Sequence, residues 1–176
     1  MYSKGEYMDV IFKEPLSNFY IKDKLNESSP MTIRFIEVVK IRQIEDNKKK
    51  IPQSMAAVDG ARYSITIKYK DASKIDEEIK ALPKMKQWNI IKKGKSGEKE
   101  VDIRPMLKEF KYKVEGNNLN LQVLVSCGSK ENLSADLLSK FVQENTSNAD
   151  LDAFVQIQRE EMYALENKKY VPLYKF

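Results

Sequence analysis

The chain has 176 residues, no histidine, one cysteine, and 31 basic against 26 acidic side chains. No Ser-His-Asp triad, Cys-His dyad, His-ligated metal, thiolate-held iron–sulfur cluster or internal disulfide can therefore be built from its own residues. A hydrophobic content of 41% with 32% charge fits a folded chain, and no apolar run approaches the roughly 18 residues that a membrane span needs.

Glu6 to Lys13 alternates, with Met8, Val10 and Phe12 on one face, and predicts a strand. Pro15 is placed to start a short helix carrying Leu16, Phe19, Tyr20 and Leu25, and Pro30 closes the connection. Thr32 to Ile41 predicts a second strand, whose apolar phase shifts between Phe35 and Ile36 as at a bulge. Glu45 to Gln53 is a lysine-rich loop, and Ser54 to Val58 a helical turn broken by Asp59-Gly60. Arg62 to Tyr69 is the clearest strand, with Tyr63, Ile65, Ile67 and Tyr69 in phase. Ser73 is placed to cap a helix through Leu82, Pro83 stops it, and Trp88 to Lys92 returns as a strand.

Residues 1–93 thus read β-α-β-β-α-β, the ferredoxin-like split arrangement. Residues 94–176 read as a second α+β subdomain, ββαβ with extra edge strands, continuous with the first. Glu109 to Val114 alternates, Glu115 to Asn118 turns, and Leu119, Leu121, Val123, Val125 and Cys127 share a face. Ser134 or Asn132 caps a helix with Leu137, Leu138, Phe141 and Val142 inside, and Phe154 to Arg159 returns as a strand. The expected class is α+β: two ferredoxin-like subdomains, antiparallel sheets, helices mainly on one face.

Charge is the clearest functional signal. The net charge is +5 at pI near 9.0. Lys84, Lys86, Lys92, Lys93, Lys95 and Lys99 cluster around Trp88, a composition that suits phosphate neutralisation with base stacking. Lys92, Lys93, Lys95 and Lys99, with Arg104 behind them, form the candidate RNA surface; a solvated hairpin is the competing reading. Asp102 and Arg104 read as an internal ion pair or corner before Pro105, or as a charged pair positioning a phosphate or a partner's acid. Gly128-Ser129, with Lys130, sits at a strand-to-helix turn that could cradle an anion, although such a turn wants glycine for steric reasons alone. Trp88 and Cys127 read first as core. Glu160-Glu161 are neighbours in a strand and are expected to point apart.

Five stretches together resemble the bacterial radical-SAM-linked protein family. They are Gly5-Glu6-Tyr7-Met8-Asp9, Ser54-Met55-Ala56-Ala57, Glu98 to Pro105, Gly128-Ser129 with Asn132-Leu133, and Arg159-Glu160-Glu161-Met162-Tyr163. The resemblance implies a bacterial protein of unestablished activity that accompanies a cobalamin-binding radical SAM protein, so that protein is an expected partner and RNA or ribosome-linked modification an expected setting. Family members open with a further histidine-bearing segment that has no counterpart here, so the chain is expected to be a trimmed piece or a short member. A more distant likeness is to archaeal-type tRNA pseudouridine synthases, with joined ferredoxin-like halves; their Arg-Asp catalytic motif is absent, and Asp102 near Arg104 has a different pattern. The expectation is a cytoplasmic accessory or RNA-binding module with no cofactor, no membrane partner and no independent catalysis.

Overall fold

A computed structural model describes residues 2–41, 53–94 and 97–176. Its elements in chain order are β1 (Tyr2–Ser3), α1 (Asn18–Ser28), α2 (Ser54–Ala57), β2 (Gly60–Lys68), α3 (Ile75–Ala81), β3 (Asn89–Gly94), β4 (Gly97–Asp102), β5 (Leu107–Glu115), β6 (Asn118–Ser126), α4 (Ala135–Glu144), β7 (Gln156–Glu166) and β8 (Lys169–Pro172). The protein is α+β, and among the described residues all strand pairings but that of β1 with β7 are antiparallel. The chain divides into two compact units: Met1–Glu6 with Ala56–Phe176, and Tyr7–Met55.

The larger unit is built around β2, whose alternation sorts Tyr63, Ile65 and Ile67 inward and Arg62, Ser64 and Thr66 outward. Sheet order is β1-β7-β2-β6-β5, with β8 also on β7. β2, α3, β5, β6, α4 and β7 therefore follow one another as β-α-β-β-α-β, in the sheet order last-first-third-second. That is the ferredoxin-like topology. The order read over residues 6–93 exists, but residues 60–166 form it, and β3–β4 is a hairpin inserted between α3 and β5.

Two predicted strands are corrected. Neither residues 6–13 nor residues 32–41 carry a ladder among the described residues. Alternation makes a segment competent to be a strand but does not supply the edge it must pair with. The strand β2 lies between β6 and β7, so residues on both sides of position 93 share one sheet.

Both helices cover one face. Ile75 and Ile79 of α3, and Leu138, Phe141 and Val142 of α4, join the inward residues of β2 and β6 in one cluster. Ser134 caps α4, its hydroxyl accepting from Leu137 N–H at 3.3 Å. Ser73 does not cap α3; its N–H and hydroxyl donate to Asp71 instead. The turn between β5 and β6 needs a positive φ, which Gly116 supplies at +56°.

The smaller unit has little interior. α1 is capped by Ser17 rather than opened by Pro15, and it buries only Ile21. Asn26 grips the extended segment beyond it: its amide donates to Phe35 O at 3.1 Å and accepts from Phe35 N–H at 2.8 Å. Asp9 accepts from both the N–H and the hydroxyl of Ser54, capping the first turn of α2.

Candidate functional site

The β3–β4 hairpin carries most of the predicted site, and its register sorts the charges. Lys92 stands opposite Lys99, Ile90 opposite Val101, and Ile91 opposite Glu100. Strand alternation therefore places Lys92 and Lys99 on one face, and Glu98, Glu100 and Asp102 on the other. In the backbone register Lys93 stands opposite Glu98, and Lys95 lies outside the described residues. Of the lysines expected on the candidate surface, the register thus brings Lys92 and Lys99 together.

Asp102 and Arg104 serve the corner below the hairpin. The Asp102 carboxylate accepts from Trp88 N–H at 2.9 Å and from Arg104 N–H at 3.0 Å. The Arg104 guanidinium donates to three carbonyls, those of Pro83 at 3.0 Å, Lys86 at 3.1 Å, and Met85. It thereby fastens the turn after α3 to the end of β4. The two side chains do not bond one another; each holds backbone. Asp102→Ala should destabilise the protein by about 1–3 kcal/mol, since two N–H groups lose their acceptor. Asp102→Asn, which keeps an oxygen there, should lose less. Urea titration of both variants checks the order.

Gly128 is required by close approach. A Cβ there would lie 2.5 Å from the Val58 carbonyl oxygen, and its own N–H donates to Glu131 O at 3.0 Å. That N–H is therefore not directed at an anion. Ser129 and Lys130 are exposed, and the Glu131 carboxylate accepts from Ser126 and stands 3.6 Å from Lys108. The turn and the hairpin do meet, through Lys92 Nζ at 3.4 Å from Asn132 O.

Trp88 is core. It is 1% exposed, stacked on Phe141 at 4.8 Å and edge-on to Phe110 at 5.8 Å, with Nε1 donating to Leu82 O at 3.0 Å. A shallow depression of about 210 Å³ lies beside it, walled in part by Pro83, Arg104, Lys108 and Phe110. Cys127 continues its strand face half-buried, and burial pushes its thiol up against the opposing effects of Arg159 and Tyr63.

Sequence reasoning missed a cluster drawn from three distant stretches. Arg159 bonds Glu6 and the Ser3 hydroxyl, the latter at 3.4 Å, while its Nε is buried without a partner among the described residues. Burial raises the Tyr63 hydroxyl, with Cys127 adding to the effect and Arg159 opposing it. A bulge between Arg62 and Tyr63 corrects the reading of Glu160-Glu161: Glu160 accepts from Ser64 at 2.8 Å, and Glu161 stands in register with Arg62. Burial pushes the Glu160 carboxyl up, but Lys4 and Ser64 outweigh it and hold it below the usual range. Only the spacing of charges along β7 could have signalled this.

Three of the five stretches that the sequence singled out are thus joined, the one at residues 5–9 bonding Arg159 through Glu6 and Ser54 through Asp9. Residues 1–135 match the family described as an uncharacterized protein conserved in bacteria (DUF2344). The chain belongs to that family. Its matched residues run from β1 to the start of α4, leaving β7 and β8 beyond the match. No curated protein and no solved structure matches the chain. Among the described residues no helix is long and apolar enough to cross a membrane, and no three His, Cys, Asp or Glu side chains are grouped to hold a metal ion.

Proposed function

We propose that this member of the family is a non-catalytic accessory module that docks on a partner protein through residues 8–41. The supporting observation is the exposure of that segment. Ile11 is 97% exposed, Phe19 75% and Ile36 70%, and Met31 is fully exposed. With Met8, Val10 and Ile33 they make residues 8–41 rich in exposed large apolar side chains, the kind of surface that marks an interaction site. Two of the stretches are extended and unladdered among the described residues, so a partner strand can add to them through main-chain bonds. A groove of about 570 Å³ between α1 and residues 29–34 adds a place for an apolar side chain.

The resemblance to the radical-SAM-linked family supplies the partner: a cobalamin-binding radical SAM protein, in RNA or ribosome-linked modification. A catalytic reading after the manner of the pseudouridine synthases would rest on Asp102, whose carboxylate is already held by two backbone N–H groups.

The chain should co-purify with the radical SAM protein when the two are co-expressed. Ile11→Asp with Ile36→Asp should weaken the complex at least tenfold, while the far-ultraviolet spectrum and melting stay unchanged, as expected for exposed positions. Absence of a complex, or a complex indifferent to both changes, refutes the proposal.

A further inference from the structure

We infer that one face of the β3–β4 hairpin, with the turn at 128–132, contacts the phosphate backbone of a nucleic acid. Three observations carry this, none of which depends on the protein-partner reading above. The first is the register: Lys92 and Lys99 are directly opposed, an arrangement that works against hairpin stability. The second is segregation. The hairpin's acids, Glu98, Glu100 and Asp102, alternate to the other face, and among the described residues neither Lys92, Lys99 nor Lys130 has an ion-pair partner. The third is position: Lys92 reaches Asn132 O, which sets the basic face against the turn carrying Lys130, while the Glu131 carboxylate of that turn is engaged by Ser126 and Lys108. A polyanion would relieve the repulsion between the two opposed lysines.

The same geometry sets the kind of recognition. Trp88 is sealed between Phe141 and Phe110 and cannot stack a base. Arg104 is fully engaged with backbone carbonyls and cannot read a base edge. What is left is three ammonium groups on flexible stems, which neutralise phosphates without reading sequence. Binding should therefore be weak, independent of sequence and steeply dependent on salt.

The test uses the full chain with fluorescent RNA and DNA single strands of about 20 nucleotides and mixed sequence, measured by anisotropy from roughly 50 to 200 mM salt. Three phosphate contacts predict a slope of log K against log salt of about −2, so affinity falls roughly fifteenfold over that range. Lys92→Gln, Lys99→Gln and Lys130→Gln together should remove nearly all of that slope, and each alone about a third of it. The emission of Trp88, the chain's single tryptophan, confirms that the variants are folded. Stronger binding of RNA than DNA assigns the ligand to RNA, and equal binding assigns it to the backbone charge common to both; either fits. Three results overturn the inference: binding of neither strand, an unchanged slope in the triple variant, or displacement by polyglutamate of matched charge at equal concentration. The last would make the face a site for acidic protein.

Discussion

Replacing Trp88 by alanine should remove about 3–5 kcal/mol of stability, a large share of the roughly 5–15 kcal/mol that holds a typical domain. Three parts of the fold converge on this one side chain. Its ring plane lies 15° from that of Phe141 on α4, and Phe110 on β5 meets its edge at 84°. Its Nε1–H satisfies the Leu82 carbonyl after α3, its backbone N–H meets Asp102, and its carbonyl accepts from Ile103 N–H. Truncation would open a cavity between the helices and the sheet and remove one of two donors to the Leu82 carbonyl, leaving Met85 N–H. Trp88→Phe keeps much of the packing and loses the hydrogen bond, so about 1–2 kcal/mol is expected. Urea unfolding followed by circular dichroism separates the two. A midpoint for Trp88→Ala within error of the unchanged protein would refute this account of the core.

Gly128→Ala is expected to destabilise by about 1–3 kcal/mol, for a reason unrelated to burial. The added methyl would press on the Val58 carbonyl at 2.5 Å, and backbone cannot swing aside as a side-chain tip can. The surrounding chain is pinned as well, since Asp59 N–H donates to Tyr163 O and Cys127 N–H donates to Asp59 O. Relief would require moving a strand end of the central sheet. Gly5→Ala serves as the control: nothing lies within 4 Å of its added methyl, and no measurable shift in melting is expected. Equal melting of the two variants would contradict the close approach at Gly128.

The parts of this fold that were legible in the sequence are those where local pattern and final partner agree. Tyr63, Ile65 and Ile67 alternate because one face of β2 is buried, and Leu119 to Val125 do so for the same reason on β6. Residues 6–13 alternate too, and residues 32–41 do so with a shift of phase, but neither carries a ladder among the described residues, because period two records which face is apolar and says nothing about whether an edge is available. The insertion of the hairpin was hidden for a related cause. Trp88 to Lys92 is a strand, but only its pairing with β4 shows that it leaves the main sheet. At the site, composition located the lysines, and register paired two of them: the pleat sets Lys92 with Lys99 and sends the acids the other way. Asp102 and Arg104 form the corner that was the first reading of the sequence, but its partners were not legible: Asp102 accepts two backbone N–H groups, and Arg104 holds carbonyls some twenty residues upstream.

The order in which the sheet is laid down has a consequence for synthesis. The central strand β2 is complete by residue 68, but one neighbour, β7, spans residues 156–166, and β1 pairs with that same strand. About 100 residues separate Gly60 from its partner Tyr163, which at roughly 5–20 residues per second is on the order of 5–20 s of translation. Throughout that interval one edge of β2 is open on the ribosome while the apolar residues 8–41 have already emerged. The nascent chain therefore passes through a stage that favours misassociation, and its yield in a cell should depend on chaperone capacity and on elongation rate more than its final melting temperature would suggest.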